Sequence, residues 1–183
     1  MVLMLLWPAV ALAEPVFHAS TSIGWQCLPA FRPELSNTLG TAFVRVELGG
    51  GIERVQVVGV AESAIHQGDW AAVTDGRIRG DTRFTNVGLG ARVPFAFGRL
   101  RLVPHADVGV DFADAPATYW FEGAIDNVGE TLDDHTAGFW AQGGAEVGVT
   151  VVPDSVDLFV AGDAGVVLWS MVIDARVGLS ARF

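Results

Sequence analysis

Apolar and polar residues alternate along most of this chain with a period of two. In residues 99–112 every even position from Leu100 to Phe112 is apolar, and most odd positions hold charged or small residues. Such alternation predicts a β-strand with one apolar face, because successive side chains of a strand point to opposite sides of its sheet. The pattern predicts eight strands, at residues 17–27, 42–48, 52–62, 83–93, 99–112, 136–152, 156–168 and 171–183.

The connections between these segments alternate between short and long. Tight turns are predicted at 49–51, 94–98 and 153–155 and near 169–170, and long connections at 28–40, 63–82 and 113–135. Two pairs of residues, Glu53-Arg54 and Val57-Val58, interrupt the alternation in segment 52–62 and predict a β-bulge there. Pro104 is a misfit in mid-strand, because it forfeits one hydrogen bond of the ladder. No linker or repeat interrupts the pattern, so residues 14–183 are expected to form a single domain.

The length of the segments and the composition of their two faces favour a membrane barrel. Several segments exceed the ~5–6 residues usual for soluble strands and match the roughly 9–11 of a tilted transmembrane strand. A closed barrel also pairs every backbone group, as the hydrocarbon region demands. Aromatic residues at segment ends on the apolar face predict two interfacial girdles, formed by Phe17, Trp25, Phe112 and Phe139. The opposite face is predicted to form a polar network in the lumen, made of Arg45, Glu47, Arg92, Arg101, His105, Asp107, Asp111, Glu146, Asp157, Asp163, Asp174 and Arg176.

Composition narrows the possible partners and compartments. The chain is 51% hydrophobic, yet no charge-free run reaches the roughly 18–20 residues that a transmembrane helix needs. Its net charge is −10, without any lysine or basic cluster, which argues against a nucleic-acid partner. Cys27 is the single cysteine, so an intrachain disulfide is excluded. Residues 1–13 end in Ala11-Leu12-Ala13 and are expected to be a secretory signal peptide.

The end of the chain carries a family resemblance. Phe183, preceded by the alternating apolar residues Ala181, Leu179 and Val177, resembles the C-terminal assembly signal of bacterial outer-membrane barrels. The whole pattern resembles the small outer-membrane barrels of the OmpA, OmpX and OmpW type. The resemblance implies a monomeric, eight-stranded antiparallel up-and-down transmembrane β-barrel with periplasmic termini and long extracellular loops. It also implies contact with outer-membrane lipid and lipopolysaccharide, and recognition of the last strand by the barrel-assembly machinery.

The leading hypothesis for function is a non-catalytic outer-membrane protein with a structural or surface-interaction role. Eight strands enclose an interior just wide enough for side chains, so we expect a plugged lumen. A narrow proton pathway through His105, Asp107 and Asp111 is an alternative interpretation of the same charges. The carboxylates of the acidic segment 113–135 are candidates for binding divalent cations that bridge lipopolysaccharide phosphates, although calcium-loop spacing is absent. The aromatic residues 119–121 of this segment are candidates for contact with lipid or a partner. No metal or cofactor is expected.

Two alternatives come from other functional classes. A lipid A-modifying acyl hydrolase or transferase would need a serine beside a histidine at the lipid interface. The candidates are weak, because His18 and Ser20 fall on the lumen face and His135 neighbours Thr136, with Asp134 nearby. The second alternative is a soluble lipocalin-like carrier, whose apolar face would turn inward around a small ligand. The direction in which residues 99–112 turn their apolar side chains distinguishes the carrier from the membrane barrel.

Overall fold

The fold is built from β-strands. A computed structural model of the chain describes residues 15–27, 41–67, 71–73, 76–114, 117–121, 129–132, 135–153, 155–167 and 170–183. No helix in these residues is long and apolar enough to cross a membrane. The strands are β1 (Pro15–Cys27), β2 (Thr41–Ile52), β3 (Val55–Gln67), β4 (Ala71–Val73), β5 (Gly76–Arg92), β6 (Phe95–Phe97), β7 (Leu100–Asp114), β8 (Ala117–Phe121), β9 (Gly129–Leu132), β10 (His135–Val152), β11 (Val156–Val167) and β12 (Ser170–Arg182).

Eight long strands close into a barrel in the order β1, β2, β3, β5, β7, β10, β11 and β12. Each strand is antiparallel to both neighbours, and β12 pairs with β1 to complete the circle. The prediction of an eight-stranded antiparallel up-and-down barrel is confirmed. A path that follows paired residues from strand to strand around the barrel starts at Arg101 in β7 and comes back to β7 at Asp111. A stagger of this size requires strands that are strongly tilted to the barrel axis.

The two faces of the wall follow from the alternation. In β7, Leu102, Val108 and Val110 point outward and are 37%, 51% and 46% exposed, whereas Asp107 and Asp111 point inward and are buried. The apolar face is therefore the outer face of the barrel. The lipocalin-like carrier needs the opposite orientation, so that alternative is wrong.

The predicted turn at residues 49–51 is wrong, and so is the predicted bulge in segment 52–62. Gly49 and Gly51 lie inside β2, and the turn is the next pair, Glu53-Arg54. The β2–β3 ladder runs without a register shift to the pair Ile52 and Val55, so the interrupted alternation marks a hairpin. The two glycines are needed for close approach, because an added Cβ would lie 2.1 Å and 2.2 Å from carbonyl oxygens of β3. The ladder between β10 and β11 does shift register, between Thr150 and Val152.

Several predicted connections contain regular strands. The short strand β6 lies within the predicted turn 94–98 and forms a hairpin with β7, and the turn is Gly98-Arg99. Gly98 has a φ of 66°, a conformation that favours glycine. The predicted turn at 153–155 is confirmed by the hydrogen bond that the Ser155 amide donates to the Val152 carbonyl over 3.1 Å. The predicted connection 28–40 and residues 168–169 lie outside the described residues.

The two remaining long connections contain strands that the alternation did not predict. The strand β3 continues to Gln67 and β5 begins at Gly76, so both extend into the predicted connection 63–82. The short strands β4, β8 and β9 pair with the first part of β5 and with each other beyond the barrel wall. We call this end of the barrel the loop end, and the end with Glu53-Arg54 and Gly98-Arg99 the turn end.

Apolar side chains fill part of the interior. The core cluster comprises Phe43, Val58, Val60, Ala64, Phe84, Ala113, Trp140, Val167 and Val172, and most of these lie toward the loop end. Three inward-facing aromatic rings pack over glycines of the adjacent strand. A Cβ added to the glycine would lie 2.6 Å from the ring in each pair, namely Gly24 with Phe43, Gly109 with Trp140 and Gly178 with Phe159. These glycines leave room for the rings, which cover backbone that lacks side chains.

Candidate functional site

The polar lumen is the candidate functional site. All of the residues that the sequence predicted to form its network are buried inside the barrel, namely Arg45, Glu47, Arg92, Arg101, His105, Asp107, Asp111, Glu146, Asp157, Asp163, Asp174 and Arg176. The predicted network did not include further polar side chains that are buried on the same face, among them Glu62, Asn86, Gln142, Gln26 and Gln56. The contacts among these side chains divide into clusters at different heights in the barrel.

The central cluster is a closed ring of two arginines and two carboxylates. Arg45 Nε donates to Glu47 Oε1 over 2.7 Å, and Arg45 Nη2 donates to Asp107 Oδ2. Arg92 donates to both oxygens of Glu47, over 2.7 Å and 3.1 Å, and to Asp107 Oδ1 over 2.5 Å. Gly90 makes room for this ring, since an added Cβ would lie 1.9 Å from Asp107 Oδ1. Two positive and two negative charges therefore balance inside the wall.

A second cluster lies on the other side of the lumen. Arg176 Nη1 lies 3.1 Å from Asp163 Oδ2, and Arg176 Nη2 donates to Glu146 Oε1 over 3.0 Å. His105 Nε2 contacts Asp163 Oδ1, and Asp174 faces Asp163 across the β11–β12 pair. This cluster joins four strands, because its members come from β7, β10, β11 and β12.

A third cluster ties the last strand to its neighbours at the turn end. Asp157 accepts hydrogen bonds from Arg101 Nη1 over 2.5 Å, from Thr150 Oγ1 over 2.7 Å and from Arg182 Nη2 over 3.2 Å. One carboxylate of β11 is thereby linked to β7, β10 and β12.

The candidate catalytic residues lie far from the geometry of a hydrolase. His18 and Ser20 are buried on the lumen face, and His18 Nε2 lies 3.8 Å from Glu47 Oε2. His135 is exposed at the barrel rim, where its Nδ1 lies 2.7 Å from Asp114 Oδ1, whereas Asp134 lies outside the described residues. Among the contacts of the described residues, neither histidine is hydrogen bonded to a serine or threonine hydroxyl. Nor do these residues contain three or more His, Cys, Asp or Glu side chains grouped to hold a metal ion.

The residues assigned to the girdles and to the assembly signal lie on the outer wall or at its edge. Phe17, Trp25, Phe112 and Phe139 are all exposed, with Phe17 toward the turn end and the other three toward the loop end. Leu179 and Val177 are also exposed, and Ala181 is half-buried. The Phe183 side chain is 77% exposed, while its backbone exchanges two 3.1 Å hydrogen bonds with Phe17. The barrel seam is thus paired to the last residue.

Comparison with solved structures identifies proteins of the same architecture. Ail, the attachment invasion locus protein of Yersinia pestis, superposes with a TM-score of 0.61 in its complex with the heparin analogue sucrose octasulfate, at 12% identity over 93% of this chain and 99% of Ail. A second Ail structure gives a TM-score of 0.56 at 13% identity over the same shares of the two chains.

The two Ail superpositions show that this chain has the fold of the small outer-membrane β-barrels. The N-terminal barrel domain of Pseudomonas aeruginosa OprF gives a TM-score of 0.49 at 11% identity, over 93% of this chain and 100% of that domain. No protein-family model matches the sequence, and a comparison with curated proteins found no match.

Proposed function

We propose that this chain is a non-catalytic outer-membrane β-barrel protein with a structural or surface-interaction role. The observation that carries the proposal is the largely apolar outer wall. One row of paired residues crosses four strands, Val160, Val177, Ile23 and Val44, and every member is exposed and apolar. An apolar band of this extent is unfavourable in water, but it suits the hydrocarbon of a bilayer.

The orientation and assembly of the barrel form part of the same proposal. Residues 1–13 would direct secretion, and the barrel-assembly machinery would recognise the last strand through Phe183. The turn end, with both termini of the barrel, would face the periplasm. The loop end would face outward among lipopolysaccharide, and the protein would be a monomer.

We also propose that the lumen is plugged. Its interior is occupied by ion-paired clusters and by the apolar core cluster, of which Trp140 is 0% exposed. The cavity beside His18, Gln56 and Arg101 has a volume of about 10 Å³, room for about one water molecule. Planar-bilayer recordings should therefore show no sustained conductance steps, and regular single-channel openings would refute the plug.

A gel assay tests the membrane location. The full chain is expressed in a Gram-negative host, and the outer-membrane fraction is run in detergent with and without boiling. A folded membrane barrel migrates differently before and after boiling. A chain that stays folded in detergent-free buffer, in the soluble fraction, would overturn the proposal.

Among the described residues, no specific contact supports two other functions, lipid A modification and the binding of a sulfated polyanion. A lipid A-modifying enzyme would change the lipid A mass spectrum of the host, and we expect that spectrum to be unchanged. The Ail complex holds a sulfated sugar, but this chain carries a net charge of −10 and its segment 113–135 lacks Lys and Arg. A polyanion would therefore be repelled by the acidic segment proposed to face outward.

A further inference from the structure

We propose that Glu62, Asn86 and Asp111 form a binding site for Ca²⁺ inside the barrel, toward the loop end. The three residues are neighbours in one register row across β3, β5 and β7, where Asn86 pairs with Glu62 on one side and with Asp111 on the other. All three side chains point inward and are buried, with exposures of 4%, 3% and 0%.

Within the part of the chain that the structure describes, the side-chain atoms of Glu62, Asn86 and Asp111 that lack a hydrogen-bond partner are all oxygens. Asn86 Nδ2 donates to Glu62 Oε1 over 3.0 Å, which fixes the amide and leaves Asn86 Oδ1 unpartnered. Glu62 Oε2 and both carboxylate oxygens of Asp111 are also buried without a hydrogen bond. Adjacent strands lie about 4.8 Å apart, and inward side chains converge toward the barrel axis. Oxygens from two acids and one amide carbonyl therefore share one side of the lumen, where they repel each other unless something positive lies between them.

The charges of the neighbouring cluster leave this site negative. Arg45 and Arg92 are hydrogen bonded to Glu47 and Asp107, which balances those four charges. The nearest guanidinium atom recorded for Glu62 is Arg45 Nη1, which lies 3.5 Å from Glu62 Oε2 without a hydrogen bond.

The remaining negative charge matches a divalent ion. Asp111 takes part in no ion pair among the contacts of the described residues. Glu62 shares Arg45 with the central cluster, so the charges of the cluster and the site are counted together. Two arginines, Arg45 and Arg92, face four carboxylates, those of Glu47, Asp107, Glu62 and Asp111, and the remaining charge of −2 would be neutralised by one divalent cation.

The ligand atoms specify the class of cation. Carboxylate and amide oxygens are ligands of hard cations, and Ca²⁺ accepts them in irregular geometry with water completing its shell. Mg²⁺ requires a near-ideal octahedron, which side chains fixed on three adjacent strands are less suited to supply. The site comprises two acids and one amide, so it is not a cluster of three acidic or histidine ligands.

The apolar side chains beside the site would make a bound ion slow to exchange. Phe84 precedes Asn86 by two positions on the same face of β5, and Trp140 is fully buried on β10, the strand next to β7. A cation bound here would be shielded from bulk water. We therefore expect loading during folding, so the experiment refolds the chain with the ion present.

The test compares wild type with Asp111→Asn and Glu62→Gln after refolding in lipopolysaccharide-free detergent micelles. Each protein is refolded with CaCl₂ or with EDTA, passed over a chelating column and analysed for bound metal by native mass spectrometry. We expect one Ca²⁺ retained per wild-type barrel and none in either variant. Calcium should also raise the melting temperature of the wild type by several degrees without affecting the variants.

Asp157→Asn is the matched control, because it removes a buried carboxylate of the turn-end cluster. It should keep the bound Ca²⁺. The acidic outer segments are identical in all four proteins, so equal Ca²⁺ content in wild type and Asp111→Asn would overturn the proposal. A wild type that retains no Ca²⁺ would also overturn it. A protonated carboxyl band in its infrared spectrum that Asp111→Asn removes would then show that protons satisfy the site. Heat-dependent migration of every variant tests the barrel itself separately.

Discussion

Replacement of Arg45 by methionine tests whether the central cluster stabilises the barrel. Arg45 contacts three carboxylates, Glu47, Asp107 and Glu62. Methionine keeps a long flexible side chain and removes only the guanidinium. In the variant Arg92 alone must balance Glu47 and Asp107, so one buried negative charge loses its partner.

The expected loss follows from the burial of these groups. Arg45, Glu47 and Asp107 are 1% to 2% exposed, so water cannot replace the lost contact. Removing one partner of a buried ion pair costs about 3–5 kcal/mol. The same charge at an exposed position contributes little, typically less than about 1 kcal/mol. We therefore expect Arg45→Met to lower the free energy of unfolding by about 3–5 kcal/mol.

Reversible urea unfolding in phospholipid vesicles, followed by tryptophan fluorescence, measures this loss. The matched control is Arg99→Gln in the exposed Gly98-Arg99 turn, which should stay within about 0.5 kcal/mol of wild type. Adding Asp107→Asn to Arg45→Met restores the charge balance and should recover about 1–3 kcal/mol as a coupling energy. An unfolding free energy of Arg45→Met within about 1 kcal/mol of wild type would refute the stabilising role that we assign to the ring.

Three other changes test the packing, the wall and the end of the chain. Gly90→Ala places a Cβ 1.9 Å from a carboxylate oxygen of the central cluster, and should lower the free energy of unfolding in vesicles by about 1–3 kcal/mol. The control Gly162→Ala, whose nearest atom is 3.9 Å away, should leave that free energy almost unchanged. Val46→Arg on the mid-wall of the outer face should cost about 2–4 kcal/mol in the same assay, against about 0–1 for Val55→Arg beside the Glu53-Arg54 turn. Phe183→Ala should reduce the heat-modifiable barrel recovered from cell membranes, yet leave the purified, refolded barrel nearly as stable, because the side chain is 77% exposed.

Each of these changes has an outcome that contradicts its reasoning. Equal losses at Gly90 and Gly162 would mean that the carboxylate moves aside without loss. An Arg at Val46 that is tolerated as well as one at Val55 would mean that the outer wall does not meet hydrocarbon. A Phe183→Ala protein that assembles normally in cells would remove the proposed role of this residue in recognition.

The strands and their faces could be predicted because a strand has a strict period of two. Residues 99–112 show this directly, since their even positions form the outer face and their odd positions the lumen. Glu62 was missed because segment 52–62 contains the Glu53-Arg54 turn. Alternate positions counted from Val55 place the Glu62 side chain inside the barrel. Alternate positions counted from Ile52, across the turn, place it outside.

The glycines show where local propensity misleads. A run of three glycines is typical of a turn, yet Gly49 and Gly51 lie in β2 because carbonyl oxygens of β3 approach too closely for a Cβ. The same cause places Gly24 beside Phe43 on the neighbouring strand. Glycine is required at these positions because of the register between neighbouring strands, which cannot be deduced from one sequence.

The polar residues of the lumen could be predicted, whereas the contacts between their side chains could not. Arg45 and Asp107 are 62 positions apart in the chain and meet only because the barrel closes. The strand pairing outside the barrel was missed for a related reason. Strands β8 and β9 form where the chain is acidic and does not alternate strictly. They are strands because β8 pairs with β5 and β9 pairs with β8, which the local pattern does not show.

Lipid accessibility along β7 tests the orientation of the wall most directly. Single cysteines are introduced in a Cys27→Ser background, labelled with an environment-sensitive dye, and exposed to a quencher attached to lipid acyl chains. The account predicts strong quenching at Leu102 and Val108 and none at Val103 and Asp107. Quenching at the second pair with protection of the first would contradict the central claim that apolar residues form the outer surface.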